Sequence, residues 1–355
     1  MFKDGFNFRE CDYDNSLNCK NYNLSYDFLY FILKINAVDC YPTKYGFHVS
    51  DDEKKSYIIC AINSNEIQKY NHLFEILNLF EEKQGNVLGM YSHDSKNIFY
   101  DELNDENYVV FKYGNHVKYN DFNFWKIGKS LKDFYSLSES CLKDFKNFNL
   151  VEDIEFLKVG QDIKLIEPRI KQIEISNLFI KLFYKKEIKK FLNHHCENTI
   201  KYLFEIREFF SSDFYKKYCE NSKNIRFING WLSNRSFVIQ DEKIYLCNFY
   251  NSSIDLFVKD LASLIEKLIP YFDNKFLIKF ILDFIEDFEG DKKEHLEVLK
   301  NYIKFNNCVE NLFVANFSQF AFIDIESPYF LESKLIKFDN YIKKFNELLN
   351  AISSI

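Results

Sequence analysis

Residues 227–250 have the sequence FINGWLSNRSFVIQDEKIYLCNFY. Two apolar runs, 237–239 and 244–246, flank four polar residues, which is the pattern of two strands joined by a short turn. From Ile173 to the carboxyl terminus, the surrounding sequence has mostly helical spacing. The stretch therefore predicts a β-hairpin embedded in a helical region.

The sequence before residue 114 alternates between helical and strand-type segments, with a turn indicated by Pro42 and Gly46. Apolar spacing predicts helices over 25–37, 66–82, 121–137 and 335–352, and strands over 45–49, 56–62, 87–93, 98–100 and 108–113. A mixed segment followed by a helical one is typical of the α+β class. We therefore expect a small amino-terminal lobe, 1–112, and a larger helical lobe, 113–355.

The composition excludes several classes of protein. A formal net charge of −7 argues against nucleic-acid partners, because phosphate contacts require clustered Lys and Arg. No segment offers the run of about 20 apolar residues that a membrane span requires. The many Phe and Tyr residues are explained by AT-rich codons, so they indicate no particular function.

The cysteines and histidines indicate neither a disulfide framework nor a metal site. Nine cysteines are scattered without a CxxC pair, and no signal peptide precedes them, which favours free thiols and synthesis in the cytoplasm. The tightest cluster of metal-binding residue types is His194-His195-Cys196. Adjacent residues on a helix point in different directions, so we expect no metal ion there.

The segment 227–238 resembles the catalytic loop of aminoglycoside-phosphotransferase-like kinases, in which His-Gly-Asp is followed by four residues, Asn and a hydrophobic strand. The run 248–250 stands where that family has an Asp-Phe metal-binding motif. Asp255 with 260–262 is similar to its Asp, four residues, Asp-Leu-Ala segment. The resemblance extends over 24–340, is specific over 227–265, and within the superfamily is to the bacterial spore-coat CotS-like group.

This resemblance implies a bilobal, protein-kinase-like fold of the α+β class. The small lobe would carry a leading helix, an antiparallel sheet and one helix. The larger helical lobe would contain the degenerate catalytic hairpin, 227–250. The segment 108–113 looks like the hinge between the lobes.

The residues that phosphoryl transfer requires are missing from the matching positions. Trp231 replaces the catalytic Asp, and an indole cannot accept the proton of a substrate hydroxyl. Ser236 and Asn248 replace the Asn and Asp that bind the metal ion. The Lys that contacts the phosphates falls on Cys60 or Ala61. We therefore expect no catalytic residues, no metal site and no binding of ATP or magnesium.

Other matching positions are retained. Gly230 allows a tight turn, and Asp260 is placed to accept hydrogen bonds near the loop. Together with Asp255 they form a structural motif of the resemblance. A remnant of the nucleotide cleft is expected near Ala61, Phe111, Tyr113 and Asn248.

Three functions remain open because fold does not fix function. The first is a catalytically inactive, kinase-like component of a spore coat. It would be synthesised in the mother-cell cytoplasm, deposited on the spore, and partnered by other coat or assembly proteins. The second is a divergent small-molecule kinase in which Asp241, Glu242 or Asp255 supplies carboxylates. The third is a regulatory pseudokinase that binds a ligand without metal.

Overall fold

The computed structural model describes residues 24–43, 46–114, 117, 124–147, 158–183, 186–230, 232–240, 242–310 and 328–355. The chain divides into two compact units. The first comprises Met1–Phe156 with Asn234–Ser252, and the second Leu157–Ser233 with Ser253–Ile355. The hairpin predicted within 237–246 thus belongs to the unit of the amino-terminal half. The division of domains at residue 112 stays a prediction.

The strands are β1 (Ala37–Thr43), β2 (Gly46–Asp51), β3 (Ser56–Ile62), β4 (Ile98–Asp101), β5 (Glu106–Tyr113), β6 (Ile225–Ile228), β7 (Phe237–Gln240), β8 (Lys243–Leu246) and β9 (Ser253–Leu256). The helices are α1 (Ile67–Glu82), α2 (Phe124–Asn147), α3 (Ile163–Phe183), α4 (Lys186–Ser211), α5 (Asp213–Glu220), α6 (Phe257–Leu268), α7 (Asn274–Ile285), α8 (Lys292–Glu310) and α9 (Pro328–Ser353).

The first unit is built on an antiparallel sheet in the order β1-β2-β3-β5-β4. Successive residues of a strand point to opposite faces, so the apolar residues of β3 pack into one core on each face of the sheet. On one face, Tyr57 and Ile59 pack with Phe28 and other residues that precede β1. On the other face, Phe111 of β5 lies against Tyr70 of α1, with ring centroids 6.4 Å apart.

The helix predicted over 25–37 is present only over residues 26–32 and ends earlier than predicted. The segment forms a π-helical turn at Phe28–Ile32, and the chain enters β1 at Ala37. Lys34 adopts φ 56, a left-handed conformation that ends a helix. Pro42 lies inside β1 rather than in a turn, where an edge strand of the sheet tolerates its missing N–H group.

The strand predicted over 87–93 is also wrong. Within this segment Val87 bridges Leu246 of β8, and Met90 bridges Phe111 of β5. The chain therefore passes between two strands without pairing continuously with either. The predicted strands at 56–62, 98–100 and 108–113 correspond to β3, β4 and β5.

The second unit is mostly helical and contains the small antiparallel sheet of β6 and β9. The sequence analysis missed this sheet because each strand has four residues and follows a helical or loop-like segment. The helix predicted over 335–352 lies within α9. Within the described ranges, none of the helices has the length and apolar character needed to cross a bilayer.

A buried network of ion pairs and hydrogen bonds joins four parts of the second unit: α6, β9, α8 and the residues just before α3. Lys259 of α6 donates to both carboxylate oxygens of Asp162 at 2.9 Å and to Asp255 of β9 at 2.5 Å. Tyr302 of α8 donates its hydroxyl to Asp162 at 2.8 Å. Burial opposes the charge of Lys259, but the two carboxylates outweigh burial and raise its pKa. The ammonium form therefore fastens α6 to these segments.

We predict that Lys259→Met lowers the free energy of unfolding by about 3–5 kcal/mol, because Asp162 and Asp255 then stay buried without their cation. Urea denaturation followed by circular dichroism measures the change. Lys216→Met is the control, since Lys216 pairs with Asp213 at 3.4 Å on the surface of α5, and such pairs contribute about 1 kcal/mol or less. Equal losses in the two variants would contradict the role of the network.

Candidate functional site

The alternation of β3 places Cys60 and Ala61, the two residues that the resemblance aligns with the phosphate-contacting Lys, on opposite faces of the sheet. Ile58 pairs with Phe111, so Cys60, two residues later, lies on the sheet face that packs against α1. Ala61 points to the opposite face and is exposed. Burial raises the pKa of the Cys60 thiol to about 12. Cys60 is therefore neutral at pH 7 and supplies no cation.

Three rings lie together on the Cys60 face of the sheet. Tyr41 of β1 stacks on His48 of β2, with ring centroids 4.5 Å apart. Tyr113 of β5 meets the same imidazole edge-on at 5.4 Å. His48 pairs with Ile58, which fixes its face. We refer to Tyr41, His48 and Tyr113 as the aromatic cluster.

The central ring of the aromatic cluster is a buried, neutral imidazole. His48 is 8% exposed, and its Nδ1 atom has no hydrogen-bond partner within the part of the chain that the structure describes. Burial lowers the pKa of His48 to about 4, although Asp39 acts in the opposite direction. At pH 7 the side chain therefore packs as an aromatic ring and carries no charge.

Asn248, at the position of the metal-binding Asp, is held as a hydrogen-bond donor. Its backbone is left-handed, with φ 63 and ψ 53, a conformation that Asn tolerates better than most residues. Its Nδ2 atom donates to the carbonyl oxygen of Arg235 at 2.5 Å, and the Cys247 thiol donates to the same oxygen at 3.3 Å. The Asn248 side chain also makes a hydrogen bond with Tyr113. A carboxylate has no proton to donate, so this position fits an amide.

Ser236, at the position of the metal-binding Asn, is 2% exposed. Its carbonyl oxygen accepts the N–H of Cys247 at 3.0 Å, which ties the start of β7 to the end of β8. The hairpin is in turn fixed to α2, because the Ser130 hydroxyl donates to the carbonyl oxygen of Ile244 at 3.1 Å. Ser236 therefore lies in the packed base of the hairpin.

The predicted remnant cleft is divided by the structure. Phe111 is fully buried in the core, and Ala61 is exposed on the opposite face of the sheet from Cys60. Tyr113 and Asn248 are joined by a side-chain hydrogen bond. The structure thus brings Tyr113 and Asn248 together, places Phe111 on the same sheet face as Tyr113, and places Ala61 on the opposite face.

The retained acidic motif lies in the second unit. Asp260 accepts the backbone N–H groups of Asn229 and Gly230, each at 2.8 Å. Gly230 has φ 99, a conformation that favours glycine. The carboxylate therefore holds the chain just before Trp231, which itself lies outside the described residues.

Of the carboxylates considered for a divergent kinase, Asp255 belongs to the second unit and Glu242 to the first. Asp255 is fully buried and bound to Lys259, whereas Glu242 is exposed in the turn of the hairpin with φ 64. Asp241 lies outside the described residues. Within the described ranges, no three His, Cys, Asp or Glu side chains are grouped to hold a metal ion.

The sequence analysis missed the aromatic cluster. Pro42 predicts a turn and no strand is predicted over 37–43, so Tyr41 had no predicted strand to place it beside His48. Tyr41 and His48 are directly opposite in the pairing of β1 with β2. Reading residues 37–43 as a strand would have placed the two rings on one face.

Comparison with known proteins identifies the fold. No family model matches the sequence, and no curated protein matches it. An aminoglycoside phosphotransferase from Alicyclobacillus acidocaldarius has a TM-score of 0.62 at 12% identity, covering 91% of this chain and 95% of that one. Amicoumacin kinase has a TM-score of 0.55 at 12% identity, with coverages of 88% and 86%. A spectinomycin phosphotransferase has a TM-score of 0.54 at 11% identity, with coverages of 93% and 97%.

Identities this low show the fold alone. The chain has the aminoglycoside phosphotransferase-like fold, with a small antiparallel sheet and a mostly helical remainder. The α+β fold predicted from the sequence is confirmed.

We predict that His48→Phe reduces the acid sensitivity of the protein. The folded pKa of His48 lies below its unfolded value, so its contribution to stability is present above about pH 6.5 and is lost as the pH falls toward 4. The loss is about 2 kcal/mol at pH 5. Phe keeps the ring packing but does not titrate.

The measurement is the difference in Tm between about pH 7.5 and about pH 5. This difference should be smaller by several degrees in His48→Phe than in the wild type. His194→Phe, at an exposed position of α4, is the control and should leave the difference unchanged. An unchanged difference in His48→Phe would show that protonation of His48 does not destabilise the fold.

We predict that Asn248→Asp destabilises the protein by about 1–3 kcal/mol, because a carboxylate oxygen would face the carbonyl oxygen of Arg235 without a proton between them. Asn221→Asp is the matched control. The Asn221 side chain accepts the N–H of Lys223 at 3.1 Å, and an Asp accepts equally well. Thermal and urea unfolding compare the variants, and equal stability of both with the wild type would exclude the donor role of Asn248.

Proposed function

We propose that this chain is a kinase-fold protein that does not transfer phosphate and that serves as a structural or assembly component of a spore coat. Its fold is that of kinase-like phosphotransferases, but a fold hosts many functions. The proposal therefore depends on the side chains at the positions where the chemistry would occur.

The observation that carries the proposal is the lack of ionised groups at the three described positions that match functional residues. Cys60 is a buried neutral thiol, Ser236 is buried, and the Asn248 amide donates to a carbonyl oxygen. Phosphoryl transfer needs a cation on the phosphates and oxygen ligands, usually carboxylates, for magnesium. These three residues do not fit a magnesium–nucleotide complex.

The aromatic cluster supports the same conclusion. Tyr41, His48 and Tyr113 pack against one another on the sheet face that carries Cys60. Burial favours the neutral form of the His48 ring. This part of the sheet is thus filled by the side chains of the first unit itself.

The coat role rests on the resemblance of 227–265 to the spore-coat CotS-like group. Kinase-shaped coat components need a stable fold and partners, but no catalytic groups. An antibody against the purified chain should detect it in the coat fraction of spores from the source organism. Detection only in growing cells would contradict the coat role and leave the question of catalysis to a separate test.

A second candidate function, a divergent small-molecule kinase, is favoured by one ion pair. Lys112 of β5 donates to both carboxylate oxygens of Glu81 of α1, at 2.9 and 3.0 Å. Active kinases use a Lys–Glu pair between sheet and helix near the phosphates. Lys112 pairs with Tyr57 and so lies on the sheet face opposite Cys60, which makes this candidate the weaker one.

Thermal unfolding with ATP, with magnesium and with both tests the catalytic part of the proposal. We predict that ATP and magnesium together raise the Tm no further than the larger of their separate effects. A ligand that binds the native state at 100 times its Kd stabilises it by about 2.7 kcal/mol, which a melting curve resolves. A rise that requires both components would overturn the proposal, and its loss in Lys112→Met would favour the divergent kinase.

A further inference from the structure

A cavity of about 440 Å³ opens in the first unit. It lies among the β2–β3 turn, the end of β5, the segment after α1 and the hairpin of β7 and β8. Its volume falls within the range of about 300–1,000 Å³ that is usual for small-molecule sites. We propose that this cavity binds a small amphipathic anion, a flat apolar ring that carries a phosphate or carboxylate group.

The cavity is not lined by any of the three described positions that the resemblance matches to functional residues, Cys60, Ser236 and Asn248. Tyr57 of β3 and Lys112 of β5 line it, and they are directly opposite in the strand pairing. Both therefore point away from the face that carries Cys60 and His48. Tyr113, at the end of β5, lines the cavity and also touches His48. The inference is independent of whether the protein transfers phosphate.

The charged side chains that line the cavity favour an anionic ligand. Lys54, Lys55 and Lys112 contribute ammonium groups, and none of the lining residues that the structure describes is acidic. The described lining thus contributes only positive charges, in a chain with a net charge of −7. Lys54 is exposed, and its ammonium group makes no hydrogen bond or ion pair with the residues that the structure describes.

The other two lysines are held in place by acids outside the lining. Lys112 is bound by Glu81, whose Oε1 atom also accepts the N–H of Gly89 at 3.0 Å. Lys55 pairs with Glu53 at 2.5 Å. An ammonium group has three donors, so each pairing orients the cation and leaves a donor for a ligand.

The remaining side chains that line the cavity favour a ligand with an apolar ring. Tyr57 and Tyr91 meet edge to face, with centroids 5.5 Å apart. Their hydroxyl groups already donate to Asp51 and to the carbonyl oxygen of Leu33, so they offer rings rather than donors to a ligand. Ile239 adds a hydrophobic side chain that is 42% exposed. An inorganic anion would leave these walls in water, and a hydrocarbon would leave the lysines without a partner.

The test uses 1-naphthyl phosphate, whose fluorescence reports binding, and 1-naphthoate as the carboxylate form. Inorganic phosphate and 1-naphthol serve as the two halves of the probe. We expect saturable binding of at least one complete probe at low salt, weakened as salt is added. Each half should bind at least about tenfold more weakly than the complete probe.

Lys54→Asn removes the unpaired cation while keeping a residue that tolerates φ 65. Lys34→Asn is the matched control, because Lys34 is also exposed, has φ 56 and is outside the lining. We expect Lys54→Asn to weaken binding of the complete probe about tenfold and Lys34→Asn to leave it unchanged. Equal binding by both variants would overturn the site, as would the absence of saturable binding by the wild type. Inorganic phosphate that binds as tightly as 1-naphthyl phosphate would overturn the amphipathic ligand class.

Discussion

Two backbone N–H groups that converge on one carboxylate are the constraint on which the second unit depends. Asp260 accepts both, from Asn229 and Gly230, and is itself fully buried. A buried carboxylate without such donors is strongly unfavourable, so the loop and α6 must fold together. Five residues earlier, Asp255 faces the same requirement and meets it with Lys259. Both carboxylates of the acidic motif thus have partners within the second unit.

In the first unit, neutral side chains occupy the positions that the resemblance matches to functional residues. Where the resemblance expects a cation and metal ligands, the chain places a thiol, a hydroxyl and an amide. Each is accommodated in its surroundings: Cys60 by burial, Ser236 by the base of the hairpin, and Asn248 by the carbonyl of Arg235. Charges persist at the surface of this unit, around the cavity that Lys54 and Lys112 line.

Much of the fold was predictable because its central elements have clear periodicity. β3, α1 and the hairpin of β7 and β8 follow their apolar patterns closely. The helix predicted over 25–37 is too long. Its apolar residues pack into the core from a short helical segment, which ends before Lys34 adopts a left-handed backbone conformation. At the candidate site, the lack of charged residues at Cys60, Ser236 and Asn248 was predictable directly from the sequence. The aromatic cluster was not predicted, because it depends on the pairing of β1 with β2 and no strand was predicted over 37–43.

The hydrogen bonds to the carbonyl oxygen of Arg235 limit which substitutions this part of the chain can accept. Two donors, Asn248 and Cys247, now satisfy it. For a descendant of an active kinase, a return to a metal-binding carboxylate would first lose one of these bonds. A new ammonium group at the buried Cys60 would meet a similar obstacle. Each single change would therefore leave a buried group without a hydrogen-bond partner or a buried charge without a counter-ion. The neutral groups at these positions thus resist replacement by charged groups one at a time.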